Sequence, residues 1–292
     1  MTFSLVVATR GRSAELTTLF DSLLAQDQPS IEVIVVDQND DGRLLPILAR
    51  HEGRLSLRHL RSRIANANNA RNLGLRHATG RLVAFPDDDC WLPAGVLPRV
   101  AAAFAADPDL GVLTGPAASP QGGLGSGRWR ADAGVITLEN VWTSVIEFNL
   151  FLRRDVALAL GGFDEGLGPG TEYGSAEGND LVARAIKSGC RARYDPGLRI
   201  VHPDKRLTQV AVARSALYGA GLGVVLRRHA PGAAAWLPFF VRPLGGMALA
   251  ALRLRGLEFR YYAATLRGRL NGFFAREAVQ APLPAPLVPI VP

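Results

Sequence analysis

Residues 85–92 read FPDDDCWL. Three carboxylates, Asp87, Asp88 and Asp89, follow the apolar run Leu82-Val83-Ala84-Phe85, and Trp91 and Leu92 come soon after. Like charges beside a core repel one another and are costly unless something neutralises them. Two readings fit. One is a solvated Asp-rich turn. The other is a set of oxygen ligands for a hard divalent cation such as Mg²⁺ or Mn²⁺, which binds through one or two carboxylates together with substrate phosphates. In that case the cation bridges the protein to a diphosphate and stabilises it as a leaving group.

The elements that would position such a cluster are legible before it. Phe3 to Ala8 is a short β-branched run, a candidate buried strand, and Thr9-Arg10-Gly11-Arg12 is a turn. Ser13 can cap a helix whose apolar face is Leu16, Leu19, Phe20, Leu23 and Leu24, ended by Gln28-Pro29. Ile31 to Val36 is a second strand with Asp37 at its end. A helix over 43–50, a strand over 56–60, a helix over 66–78 closed by Gly80, and a strand over 81–85 follow. This alternation predicts an α/β fold with a mostly parallel sheet. In open sheets of that kind ligands bind beyond the carboxyl ends of the strands. Those ends carry Thr9-Arg10, Asp37 and the acidic cluster, all on one predicted edge.

The middle of the chain changes character. Ser119 to Gly134 is Gly- and Ser-rich and reads as a loop or loose hairpin around Arg128-Trp129-Arg130. The segment 145–152 reads as a strand, 161–164 as a turn, and 166–178 as a Gly-rich loop leading into a helix from Asn179 to Ser188. Segments 191–194 and 199–202 read as extended. Trp129 and Trp142 suit either a sugar face or core packing, and core packing is the simpler reading.

Composition bounds the partners. The 292 residues carry a net charge of +7 that is almost wholly Arg, since Lys stands only at 187 and 205. That balance points to anionic partners. Two cysteines, Cys90 and Cys190, make no disulfide framework and suit a reducing cytosol. The N-terminus lacks the pattern of a signal peptide. The most apolar stretch, Ala233 to Leu252, is interrupted by Arg242, Pro238 and Pro243. From Lys205 to Arg276 there are twelve basic residues against Glu258, with Trp236, Phe239, Phe240, Tyr261 and Tyr262 interleaved. This pattern suits helices lying on an anionic membrane, with Arg227, Arg228, Arg253 and Arg255 at lipid phosphates and the aromatics at the acyl boundary. A helical subdomain or an oligomer interface are the alternatives. No nucleic-acid motif appears, and no G-x-G-x-x-G follows the first strand. The final APLPAPLVPIVP reads as extended or disordered.

Three segments, SLVVATRGR, VIVVDQND and NNARNLGLRHATGRLVAFPDDDC, resemble the inverting nucleotide-sugar transferases of glycosyltransferase family 2, with the GT-A fold. GGFDEGLGPGTEYGSAEGNDLVARAIKSG and RIVHPD resemble that family's acceptor-side motif and its later His segment, so the likeness reaches to about residue 204. The resemblance implies an α/β GT-A domain over 1–204, with a nucleotide-sugar half (1–115) and an acceptor half (116–204). A basic amphipathic helical region (205–277) and a Pro-rich tail (278–292) follow. It implies that Thr9, Arg10, Asp37, Arg71, Asp87 and Asp88 contact the nucleotide sugar, and that Asp89, Asp87 and His202 hold Mn²⁺ or Mg²⁺. A buried, satisfied histidine is the other reading of His202. The implied activity is transfer of a sugar, with inversion, from a nucleoside-diphosphate sugar to an acceptor hydroxyl. With the basic tail, the acceptor reads as a lipid-linked saccharide of a surface polysaccharide, and the enzyme as cytoplasmic and peripheral on the inner face of the cell membrane. An oligomer is compatible with the same tail.

One departure stands out. The family's acceptor motif carries two adjacent acids, the second being the catalytic base, and here the chain reads Glu177-Gly178-Asn179-Asp180. Inverting transfer needs one carboxylate to take the acceptor proton. Glu177 is the nearest candidate and Asp180 the second, with Glu172 or Glu165 reachable by a register shift. Glu177 as a helix N-terminal carboxylate without chemistry is the alternative. A nucleotidyltransferase is the enzymatic runner-up, although the turn after the first strand lacks a Gly-rich phosphate loop with Lys. A membrane-bound carbohydrate-binding protein with a degenerate site is the non-enzymatic one.

Overall fold

Strands β1 (Phe3–Thr9), β2 (Ile31–Asp37), β3 (Ser56–Arg61) and β4 (Leu82–Ala84) run parallel to one another. β1, β2 and β4 are near-continuous apolar runs, as strands covered on both faces must be. Their side chains alternate between two cores. Phe3, Leu5, Val7, Val33 and Val35 pack with α1 (Ala14–Leu24) and α4 (Val96–Ala106) on one face. Val6, Ile34 and Val36 pack with α3 (Ala67–His77), α5 (Arg154–Ala159) and α6 (Glu177–Lys187) on the other. The short α2 (Leu45–His51) links β2 to β3. The computed structural model describes residues 1–27 and 30–275. The Gln28-Pro29 helix stop and the Pro-rich tail expected from the sequence lie outside the described residues.

β5 (Leu110–Thr114), β6 (Ala117–Ala118), β7 (Gly134–Val135), β8 (Leu150–Arg153), β9 (Arg191–Tyr194) and β10 (Ile200–Val201) complete the sheets. The large sheet has the order β3-β2-β1-β4-β8-β5-β9-β7. β8 enters antiparallel between β4 and β5, and β10 pairs with β6 in a small second sheet. In register, Thr9 lies opposite Asp37, so the ends of β1 and β2 open at one level. α3 lies flush on β1 because residue 74 is Gly; a Cβ there would stand 2.3 Å from Val6 Cγ1.

Two expectations are corrected. The segment 145–152 is a strand only from Leu150, and Glu147–Asn149 form a 3₁₀ turn instead. Asn149 holds that turn by donating to Pro116 O and Leu198 O. α6 begins at Glu177 rather than Asn179, preceded by Ala176 at φ 69°. A left-handed conformation costs a non-Gly residue ~1–2 kcal/mol and marks a segment fixed by its surroundings.

The C-terminal helices are α7 (Gln209–His229), α8 (Ala233–Leu252) and α9 (Gly256–Phe273). α7 and α9 meet backbone to backbone through Gly219, Gly223, Gly268 and Gly272. A Cβ on Gly272 would stand 1.9 Å from Ala220 O. α7 docks on the α/β core through Val224 and Val225 against Leu167 and Ala176. The expected membrane-facing arginines are partly turned inward. Arg228 pairs with Asp164 at 2.8 Å and Asp180 at 3.4 Å, and Arg227 donates to Phe273 O and Ala275 O. Trp236 and Phe240 pack on Phe273 rather than outward. The outward face of α8 instead carries Leu237, Val241, Leu244 and Leu252.

Candidate active site

The acidic cluster is built against the turn that follows β1. Asp88 accepts from Thr9 Oγ1 at 2.6 Å and pairs with Arg12, which also reaches Asp89 Oδ2 at 2.8 Å. The turn is shaped from β2: Asp37 accepts from Asn39 Nδ2 at 2.8 Å, and Asn39 Oδ1 accepts from Gly11 N at 2.6 Å. His59 Nε2 meets the other Asp37 oxygen at 3.0 Å. Arg71 comes from α3 and donates to Asp87 at 3.0 Å.

Asp89 and His202 face each other at 3.2 Å, Oδ1 to Nε2, and Asp87 Oδ2 stands 3.8 Å from the same nitrogen. His202 Nδ1 lies 2.8 Å from Pro203 O, a group that only accepts, so Nδ1 carries a proton. In the neutral ring the Nε2 lone pair therefore points at a carboxylate oxygen. Asp89 Oδ1 is buried and has no hydrogen-bond partner among the described residues. Phe148 stacks on the imidazole at 4.8 Å and fixes its plane. Burial pushes the imidazole down, yet Asp89 and Asp87 outweigh it and raise it. Burial likewise pushes Asp89 up, and His202 and Arg12 hold it below its ordinary value. Each sign says that the space between these groups favours a positive charge. Asp87, Asp89 and His202 each offer one atom, all within 4.8 Å of one another, and their oxygen and imidazole donors fit Mn²⁺ or Mg²⁺.

A second acidic group stands at the start of α6. Arg71 Nη1 donates to Glu177 Oε1 at 3.0 Å, and Glu177 is 3% exposed. Burial and the neighbouring Glu147 push the Glu177 carboxyl up to about 8, with Arg71 opposing them. The asparagines of α3 hold the loop before α6. Asn68 donates to Asp164 O and Leu167 O, and Asn72 donates to Phe163 O. Glu147 arrives from the 3₁₀ turn and accepts from Gly178 N at 3.3 Å. Asp180 points elsewhere, into a buried network with Arg184 at 2.8 Å and His229 at 2.8 Å, and lines neither cavity described below. Glu165 accepts from Asn69 and Asn72, and Glu172 is exposed, so no register shift brings either to α6.

These groups line a cavity of about 850 Å³ at the carboxyl edge of the sheet. Arg10, Arg71, Asp87, Asp88, Asp89, Glu177 and His202, all read from the sequence, line it together. Thr9 and Asp37 do not: each is 1% exposed and acts on the cavity through Asp88 and Asn39. Arg12, Glu147, Arg214 and Tyr218 line it and were not read from the sequence as site residues. Arg214 and Tyr218 are four apart on α7, a spacing that shares a helix face and could have marked them. A second cavity of about 990 Å³ adjoins the first, between the core and α7–α9. Trp129, Trp142, Tyr261 and Tyr262 line it with Arg128 and Arg269. Both tryptophans also pack on the core.

The profile of glycosyl transferase family 2 matches residues 4–156. The poly(ribitol-phosphate) beta-N-acetylglucosaminyltransferase TarS of Staphylococcus aureus is 33% identical over 108 residues, which are 36% of this chain and 19% of that protein. The pre-mycofactocin glycosyltransferase of Mycobacterium tuberculosis is 29% identical over 241 residues, 77% of this chain and 48% of that protein. The chain thus spans less than half the length of these curated relatives. Among solved structures, a mannosyltransferase of Pyrobaculum calidifontis in complex with GDP-Man and Mn²⁺ superposes with a TM-score of 0.67 at 18% identity, covering 94% of this chain and 88% of that one. S. aureus TarS 1–349 with UDP-GlcNAc superposes at 0.60 with 20% identity, covering 94% and 90%. At that identity the likeness is one of fold.

Proposed function

The chain belongs to glycosyl transferase family 2 and has the GT-A fold, and from that premise we propose that it transfers a sugar, with inversion, from a nucleoside-diphosphate sugar to an acceptor hydroxyl. The observation that carries the reading is the facing pair of Asp89 Oδ1 and His202 Nε2 at 3.2 Å beside Asp87. With the ring neutral, Asp89 Oδ1 and His202 Nε2 offer two ligand atoms to one place, and in a cavity rimmed by arginines they suit a cation and an anionic ligand together. Asp87, Asp89 and His202 would hold Mn²⁺ or Mg²⁺. When bound, that ion supplies the positive charge that grips the donor's diphosphate and stabilises it as it leaves.

The chain's own groups do the rest. Arg10 and Arg12 stand where the nucleotide's negative charge would enter. Arg71 fixes Asp87 and Glu177 in one orientation. Thr9 and Arg12 orient Asp88, whose position on the cavity wall suits the donor's sugar or ribose. One carboxylate at the start of α6 must take the acceptor proton, and Glu177 and Glu147 both stand there. Because Arg214 and Tyr218 complete the cavity, the catalytic unit would extend into α7 rather than stop at residue 204. Relatives named for GlcNAc transfer and solved with UDP-GlcNAc or GDP-Man support a nucleotide-sugar donor.

The acceptor we propose is a lipid-linked saccharide met at the inner face of the cell membrane. α8 is 20 residues long and buries only Phe240, Pro243 and Ala250, whereas α7 buries Val212, Ser215, Val224, Val225 and Leu226 among others and packs as a core helix. The apolar outward face of α8, with Arg242 and Arg253 exposed beside it, suits an interfacial seat. A crossing would sink Arg242 at a cost of about 2.5–3.5 kcal/mol.

The test is a thermal-shift panel of UDP-GlcNAc, UDP-glucose and GDP-mannose, each with and without Mn²⁺. At least one should raise the melting temperature, and only with the metal. No shift with any would overturn the proposal.

A further inference from the structure

We infer that Glu147 is the catalytic base and that the second cavity is the acceptor site which delivers a hydroxyl to it, an assignment resting on the sugar-transfer reading above. The starting point is Gly178. A Cβ at that position would stand 3.2 Å from both Cγ and Oε1 of Glu147, and 3.3 Å from Val145 Cγ1. A side chain on residue 178 would therefore enter the volume that the Glu147 carboxylate fills. The acid that α6 lacks at its second residue is replaced, in space, by one from the 3₁₀ turn.

The surroundings suit a reacting group. The two cavities share a rim that includes Ser126, Ser175, Lys205, Arg214 and Tyr218, and Glu147 is the one carboxylate among the described residues that lines both. A donor in the first cavity and an acceptor in the second would meet at that residue. The aromatic and arginine lining of the second cavity suits a saccharide carrying an anionic group. Glu147 forms no ion pair among the described residues, in contrast to Glu177, Asp87, Asp88 and Asp89. It accepts from Gly178 N in the first turn of α6, where backbone N–H groups and the helix dipole favour a negative charge. The turn beneath it is pinned by Asn149, so the carboxylate is carried on rigid backbone.

Glu177 is the poorer choice on the same geometry. One oxygen is taken by Arg71 and the side chain is 3% exposed, so its carboxyl is closed off from an arriving hydroxyl. Its place is to position Arg71 against Asp87. In the reaction the acceptor oxygen bonds to the anomeric carbon as the bond from that carbon to the diphosphate oxygen breaks. The electron pair leaves with the diphosphate, and the acceptor's proton passes to Glu147.

The experiment measures release of UDP or GDP from UDP-GlcNAc, UDP-glucose and GDP-mannose with Mn²⁺ and water as the acceptor, alongside calorimetric donor binding. Glu147→Gln is nearly isosteric and should lower kcat by about 10²-fold or more with donor Kd unchanged. The double variant Glu147→Ala/Gly178→Asp returns a carboxylate to the same volume from α6 and should recover at least ten-fold over Glu147→Ala. Turnover by Glu147→Gln within two-fold of wild type overturns the assignment. So does loss of turnover in Glu177→Gln, with donor binding intact, while Glu147→Gln stays active. Wild-type protein that neither binds nor cleaves any of the three donors overturns the sugar-transfer reading, and this assignment with it.

Discussion

Arg71 donates to Glu177 across 3.0 Å and joins α3 to the first residue of α6, 106 positions further along the chain. The second arm of the same guanidinium holds Asp87 at 3.0 Å. One buried cation thus couples the two halves of the site. Arg71→Met leaves the buried Glu177 carboxyl without its donor, and an unsatisfied buried polar group costs about 1–3 kcal/mol. The double variant Arg71→Met/Glu177→Leu should regain most of it. Urea unfolding of the two variants checks this. A loss in Arg71→Met below ~1 kcal/mol, the range of exposed pairs, would contradict it.

Asp180 should give the protein an acid-sensitive stability term. Burial pushes its carboxyl up, but His229 and Arg184 outweigh this and hold it at about 2, against an ordinary 3.8. Arg228 and Lys187 add positive charge around it. A depressed carboxyl contributes stability above its unfolded value and loses it as pH falls through the folded one. The pH-dependent part is about 2 kcal/mol at pH 7 and should shrink from about pH 4 toward pH 2. Unfolding of wild type and Asp180→Asn at pH 7 and pH 3 should show the gap narrowing in acid. A gap that widens in acid would contradict the sign.

The α7–α9 contact should be intolerant of any side chain. Gly272→Val would drive a branched group into Ala220 O, and such overpacking costs about 1–3 kcal/mol. Since α7 carries Arg214 and Tyr218 to both cavities, ligand affinity should weaken in the same variant. Unfolding midpoints and calorimetry are the measurements. Unchanged values for both would mean that the helices part without consequence for the site.

The outward face of α8 should bind anionic vesicles. Each nearby basic residue adds about 1 kcal/mol, and the attraction is screened by salt. Leu244→Glu/Leu252→Glu should abolish co-flotation with phosphatidylglycerol vesicles at low salt while leaving the melting temperature within a few degrees. Co-flotation equal to wild type would remove the membrane seat.

How much of this was legible in the sequence varies by physical cause. The strand ends could be read because β1 and β2 are unbroken apolar runs with polar residues directly after, and Asp87, Asp89 and His202 could be named from motif likeness. α4 is legible too, since Val96, Leu97, Val100 and Phe104 have helical spacing, although the expectations above do not include it. Glu147 could not be found, because its relation to Gly178 is a contact between distant segments and no local pattern encodes it. The inward turn of Arg228 has the same origin, since its partners Asp164 and Asp180 lie far back in the chain. The inward seat of Trp236 and Phe240 is invisible in their own helix, because Phe273, which they cover, belongs to a different one.

On the proposed function, Asp87, Asp89 and His202 bind a divalent ion and a nucleotide diphosphate as one unit. Calorimetric titration of UDP and of GDP into wild type and Asp89→Ala, with and without Mn²⁺, tests it directly. Wild type should bind one of the two nucleotides at least ten-fold more tightly with Mn²⁺, and Asp89→Ala should lose this gain while its melting temperature is kept. Equal affinity with and without Mn²⁺ in wild type, or an undiminished metal effect in Asp89→Ala, would contradict it.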